Sequence, residues 1–188
     1  MVETEVKLRW HGTAREAQAL IESRGYPAYT PRTLERDQLF DRPSGELRQS
    51  GQILRLRRAV LGERTQSTIT YKGPGTREVY KSREEIEFLV SDPDAFSTVL
   101  ERLEYHPGFR YEKYRTQFRA LGEPGIITLD ETPIGIFLEL EGPEYWIDEA
   151  AARLGFSRAD YLTTSYAMLY ARYREQNPGA SPNMTFEA

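Results

Sequence analysis

Glu3, Glu5 and Lys7 occupy alternate positions near the N-terminus, with Arg9 next in the series. The same two-residue spacing carries charge at Arg55 and Arg57, Glu85 and Glu87, Lys113 and Arg115, and Glu139 and Glu141. Carboxylates supply hard oxygen ligands for Mg²⁺ or Mn²⁺, and Mg²⁺ commonly takes one or two of them together with phosphate oxygens and water. Arginine and lysine supply charge-assisted donors to phosphate. Neither set is specific alone, but together they suit a metal-bound polyphosphate. Among 21 arginines the chain has four lysines, and Lys7, Lys72 and Lys113 fall in charged segments while Lys81 does not. Lysine is a compact charge with three donors, which suits a multiply charged anion better than the flat fork of arginine.

Other chemistries find little support. The absence of cysteine excludes thiolate nucleophiles, disulfides and cysteine metal sites. His11 and His106 are isolated, and Ser165 has no evident His or Asp partner. Gly73-Pro74-Gly75 lacks the spacing of a phosphate-binding glycine loop. A net charge of −4 argues against a nucleic-acid partner. No apolar run reaches the roughly 20 residues that span a bilayer, so no membrane partner is expected. Glu3 and Glu5 stand where a signal peptide would start, so a cytoplasmic location is expected.

A period of two is that of a β-strand, whose side chains alternate between faces. On this basis strands are expected over 2–10, 33–42, 52–61, 65–72, 83–90, 109–120, 126–131 and 136–142. Thr13 can cap a helix that ends near Gly25, and Asp92-Pro93 opens another with Phe96, Val99, Leu100 and Leu103 at helical spacing. Helical segments are also expected over 147–154, 158–162 and 165–174. Residues 47–51 read as an irregular link, 73–82 as a mobile polar loop, and 177–188 as a flexible tail. The whole is one domain over 1–176, an α+β protein of eight antiparallel strands with flanking helices.

The charged strand faces could meet water separately or meet one another. Glu3 and Glu5, or Glu139 and Glu141, repel along one strand unless cations lie between them. Closing eight strands into a barrel would supply those cations across a wet interior.

Glu3-Thr4-Glu5-Val6-Lys7 resembles the ExExK opening of the CYTH family, the triphosphate tunnel metalloenzymes. Further matches follow in order: Asp37 to Asp41, Leu54-Arg55-Leu56-Arg57, Thr70-Tyr71-Lys72-Gly73-Pro74, Ser82 to Glu87, Lys113-Tyr114-Arg115, Leu129-Asp130-Glu131, Phe137 to Glu141, and Ser165-Tyr166. The resemblance covers about residues 1–172.

The resemblance implies an eight-stranded antiparallel β-tunnel that binds a triphosphate with Mg²⁺ or Mn²⁺. Lys7, Arg55, Arg57, Lys72, Lys113 and Arg115 would hold phosphates. Glu3, Glu5, Asp130, Glu139 and Glu141 would hold or orient metal and water, and Glu85 and Glu87 would complete the acidic lining. Lys72, Arg115 and Glu139 are the candidate catalytic residues. The segments around Lys72 and Glu85 are most similar to the bacterial class IV adenylyl cyclase branch, which converts ATP to cyclic AMP and pyrophosphate. Hydrolysis of inorganic tripolyphosphate or thiamine triphosphate is the alternative, and non-catalytic binding of polyphosphate or nucleotide is a third reading. Thiamine triphosphatase-like members use a lysine on the C-terminal helix. No lysine follows Lys113, so Arg172 or Arg174 would have to substitute. A homodimer is possible. Glu139→Gln is expected to cost activity far more than stability, because it relieves repulsion with Glu141.

Overall fold

The computed structural model describes residues 2–186. Strands β1 (Val2–Trp10), β2 (Ala28–Asp41), β3 (Ile53–Leu61), β4 (Arg64–Lys72), β6 (Lys81–Leu89), β7 (His106–Phe118), β8 (Ile126–Thr132) and β9 (Gly135–Glu141) form the wall; β5 (Thr76–Arg77) is a short addition on the edge of β6. The order β1-β9-β8-β7-β2-β3-β4-β6 closes through pairing of β1 with β6, and every pairing is antiparallel. The result is the closed eight-stranded barrel that the alternating charges called for. The β1–β6 seam runs only from Val2 opposite Glu84 to Glu5 opposite Lys81, whereas β3 and β4 pair from Ile53 and Lys72 to Leu61 and Arg64.

Outward-facing apolar residues explain the helices. Helices α1 (Ala14–Ser23) and α4 (Glu144–Arg153) cover one side, where Ala17, Ile21, Ile147 and Ala150 pack with Val6, Leu8, Leu138 and Leu140. Thr13 and Glu16 form a reciprocal capping box at the start of α1. Gly125 leaves room for Trp146, because a Cβ there would lie 2.2 Å from the indole ring. Helix α3 (Pro93–Arg102) places Leu100 on Phe40, Leu56 and Ile69, while Val99 and Leu103 of its expected stripe remain exposed.

Several boundaries differ from the sequence expectation. Strand β2 begins at Ala28, accommodating Pro31 through register shifts against β7 between Ala28 and Thr33. The link at 47–51 contains a short helix, α2 (Glu46–Gln49), held by the Asp41 carboxylate, which accepts from Leu47 and Arg48 N–H at 3.0 Å each. Strand β6 begins at Lys81, so the end of the supposed loop belongs to the wall.

The expected tail 177–188 lies within the described residues up to 186, and that part contacts the barrel. After α5 (Tyr166–Gln176), residues 177–186 run back to β7, where Met184 N–H donates to the Arg110 carbonyl (3.0 Å) and Glu112 N–H donates to the Met184 carbonyl (2.8 Å). Strand β8 pairs with β7 only from Tyr114 onward, leaving that earlier edge free to bind backbone. Met184 itself is fully buried among Tyr111, Tyr166, Leu169 and Tyr170. One apolar residue within a Pro-, Gly- and Ser-rich stretch anchors the segment.

Candidate functional site

Strand register brings the charged residues together. Lys7 stands opposite Glu139, and Glu5 opposite both Glu141 and Lys81. Arg115 stands opposite Asp130, Asp37 opposite Arg57, and Lys72 opposite Glu85. Alternation sends these side chains into the barrel, around a cavity of about 230 Å³. Every cation and carboxylate expected from the sequence lines this cavity except Asp130, which is fully buried behind it.

Asp130 is a buried counterion. Its two oxygens accept from Arg115 Nε and Nη2, each at 2.6 Å, and Oδ2 also accepts from Lys113 Nζ (2.8 Å) and Tyr166 OH (2.7 Å). Asp37 plays the same part for Arg57, accepting from Nε at 2.7 Å and Nη2 at 3.0 Å. Burial opposes ionisation of both acids, but Arg57 and Arg55 hold Asp37 below its usual range, and Arg115 and Lys113 do the same for Asp130. Glu139 joins this region through Lys7 (3.0 Å) and a short contact with Arg115, which overcome its burial and hold it ionised.

The opposite side, along β1, β4 and β6, balances poorly. Glu3 is pushed up to about 8, first by its partial burial, then by Glu141 and by a hydrogen bond with Glu85. Glu141 also rises through burial and the nearby Glu5 charge. The cations shift in the opposite direction. Lys72 lies 2.6 Å from Glu85, which by itself would raise it, yet burial and the Arg55 and Arg83 guanidiniums lower it to about 7. Burial lowers Lys81 to about 8 despite its contact with Glu5, with Lys7 and Arg83 adding to the effect. Arg55 Nη2 donates to Thr70 (2.8 Å), but its buried Nε has no acceptor.

This donor set fits a divalent cation and a polyanion. Among the described residues, no group of three or more acidic or histidine side chains is already arranged around a metal position. Mg²⁺ needs no such group when substrate phosphate and water complete its shell. Glu3 and Glu141 are raised by burial and then by neighbouring carboxylates, a repulsion that a bound cation would relieve.

Several lining residues escaped the sequence reading. Lys81 and Arg83 extend the alternation of Glu85 and Glu87; Lys81 fell in the supposed loop, and Arg83, inside the expected strand, carried no site role. Tyr111 and Tyr166 also line the cavity, and Glu35, outside the lining, contacts Arg57 at 2.9 Å. Pairwise register was the missing information. Arg172 and Arg174 are exposed on α5 and neither lines the cavity. Among the described residues, no helix is long and apolar enough to cross a membrane.

The CYTH domain family model matches residues 1–166. A Methanocaldococcus jannaschii protein named "Putative adenylate cyclase" is 26% identical over 141 residues, covering 75% of this chain and 77% of that one. A Vibrio parahaemolyticus structure bearing the same description superposes with a TM-score of 0.77 at 22% identity, over 91% of this chain and 98% of the other. A Hippeastrum structure, described as that of a putative adenylyl cyclase with dominant triphosphatase activity, gives 0.65 at 17% identity over 93% and 95%.

Proposed function

The chain belongs to the CYTH family, and from that premise we propose that it is a divalent-metal-dependent enzyme acting on a triphosphate held in the barrel. The observation that carries this reading is the coexistence of two unmet demands on one side of the lumen. Glu3 and Glu141 are raised by burial and by neighbouring carboxylates, while Lys72 and Lys81 are lowered by burial and by neighbouring cations. A metal–triphosphate complex satisfies both at once. On β3, the buried Arg55 Nε makes no hydrogen bond and lies 3.7 Å from Asp37.

The favoured reaction is that of a class IV adenylyl cyclase. The ribose 3′-oxygen attacks the α-phosphorus of ATP, its bond to the β-bridging oxygen breaks, and cyclic AMP, pyrophosphate and one proton result. Lys7, Arg55, Arg57, Lys72, Lys113 and Arg115 hold the phosphate chain and offset charge that develops on the leaving oxygens. Asp130 fixes the fork of Arg115 and the direction of Lys113 from behind. Glu3 and Glu141, with Glu5 and Glu139 nearby, would hold Mg²⁺ or Mn²⁺. Such an ion would neutralise triphosphate charge and lower the pKa of a bound hydroxyl or water.

Hydrolysis is a second reading, favoured by the shape of the cavity. At about 230 Å³ it falls below the usual range of roughly 300–1,000 Å³ for a drug-sized ligand, and its lining is mainly charged. It suits a phosphate chain better than a whole nucleotide, which suits inorganic tripolyphosphate or the triphosphate arm of thiamine triphosphate.

Purified protein assayed with Mg²⁺ and Mn²⁺ on ATP, tripolyphosphate and thiamine triphosphate separates these reactions. Cyclic AMP with pyrophosphate is the expected outcome. Orthophosphate without cyclic AMP replaces it with the hydrolytic reading, and tight binding without turnover under either metal overturns both.

A further inference from the structure

Tyr166 has contacts that its place at the start of α5 does not require. Its ring lies under two ammonium groups, with Lys7 Nζ 5.2 Å and Lys113 Nζ 5.0 Å from the ring centroid. Its hydroxyl donates to Asp130 Oδ2 at 2.7 Å, and the side chain lines the cavity while almost wholly buried. Ser165 caps the helix by accepting from Met168 N–H, which fixes the backbone from which Tyr166 projects.

An aromatic face attracts an ammonium group without neutralising it. The carboxylates around these lysines both attract and neutralise: Glu139 lies 3.0 Å from Lys7, and Asp130 2.8 Å from Lys113. A lysine held only by carboxylates turns its donors toward them. One that also rests on a ring can direct donors into the lumen. Tyr166 supplies this restraint to two lysines on different strands, β1 and β7.

The C-terminal segment supports the tyrosine from behind. Phe137 meets the Tyr166 ring edge-on at a centroid distance of 5.5 Å, and Tyr111 lies 6.2 Å away. Met184 is buried in the same cluster, and Tyr170 OH donates to the Ser181 carbonyl at 2.8 Å. These contacts link Ser181 and Met184 to the two lysines through one ring.

We infer that Tyr166 is the positioning residue for Lys7 and Lys113, and that the segment carrying Met184 seats it. The inference rests on the reading that these lysines hold phosphate. Loss of the ring weakens anion binding, whereas loss of the hydroxyl alone leaves the lysines on their support.

Calorimetric titration of the full chain with tripolyphosphate and Mg²⁺, well below each variant's unfolding midpoint, tests this. Tyr166→Phe is expected to bind within about twofold of wild type, and Tyr166→Leu about tenfold more weakly, the scale of two partly desolvated cation–ring contacts. Met184→Ala, with Tyr166 intact, is expected to lose about threefold by the same contacts. Should Tyr166→Leu fail to fold, Tyr166→Met takes its place. If wild type binds and the ringless variant binds as well as Tyr166→Phe, the inference is overturned while the functional reading stands. Wild-type binding with an unchanged Met184→Ala affinity overturns the seating role. Failure of wild type to bind tripolyphosphate at all overturns the functional reading and the inference with it.

Discussion

The two sides of the barrel use the same residue types to opposite effect. Along β2, β3, β7 and β8, the two fully buried carboxylates have their cations in hydrogen-bonding geometry, Asp37 with Arg57 and Asp130 with Arg115 and Lys113. Along the seam of β1 with β6, Glu3 stands beside Glu85 and Glu141, while Lys72 is crowded by Arg55 and Arg83. The first side pairs Asp37 and Asp130 without a ligand and so gives the wall a fixed shape. The second leaves charge for a ligand to complete. Buried ion pairs of the first kind contribute geometry more than net stability, but removing one partner exposes the full cost of the other. A folded barrel can carry an unsatisfied seam only while its opposite wall stays paired.

The largest test of that division is Asp130→Asn. The substitution keeps the shape but leaves Lys113 and Arg115 buried without their shared charge, at a cost of roughly 3–5 kcal/mol. The urea midpoint should fall accordingly, and tripolyphosphate affinity with it. A loss under about 1 kcal/mol would mean that the paired wall is not what holds this barrel.

Glu139→Gln comes next and sharpens the boundary between the sides. The sequence suggested relief of repulsion with Glu141, hence little loss of stability. The structure reverses that reason, because Glu139 is buried between Lys7 and Arg115 and its charge is favoured there. Lys7 keeps Glu5 and Arg115 keeps Asp130, so the expected cost is roughly 1–3 kcal/mol in chemical denaturation. Metal-dependent turnover per folded molecule should fall roughly 10–100-fold. Unchanged or increased stability would place Glu139 with the unsatisfied seam instead.

The barrel was legible because charge alternates with apolar residues along its strands, and a period of two leaves few other readings. Helix α1 was legible from Thr13, Glu16 and the apolar spacing after them. Depth was not. Leu129-Asp130-Glu131 places Asp130 on the inner face, but only its pairing with Arg115 across β7 and β8 shows that it is held as a counterion rather than lining the cavity. Lys81 was hidden by its nearness to the Gly73-Pro74-Gly75 turn, because a strand start has no side-chain signal comparable to a helix cap. The contacts of the C-terminal segment were not legible for a related reason. Composition describes the average of a stretch, and Met184 holds it through one buried side chain and two backbone hydrogen bonds.

The smallest effect on stability, and the most direct probe of the seam, is expected from Glu3→Gln. A free glutamate ionises near 4.5, whereas Glu3 in the folded chain does so near 8. Between those values the unfolded chain has released a proton that the folded chain keeps. The contribution of Glu3 is therefore fully present below 4.5 and is lost as pH rises toward 8. Lys72 and Lys81 act in the opposite direction, because their folded values near 7 and 8 lie below the free value of 10.5. Their stabilising slope starts at about pH 7, so the interval from about pH 5 to 7 isolates the acidic side of the seam. With EDTA present, the wild-type Tm should fall across that interval relative to Glu3→Gln, which has no proton to lose at this position. Excess Mg²⁺ should flatten the wild-type slope by favouring the ionised carboxylates, and the variant should need about tenfold more metal for the same protection. Parallel pH profiles for the two proteins in EDTA would mean that Glu3 is already balanced, and the contrast between the two walls would then fail at the residue where it is steepest.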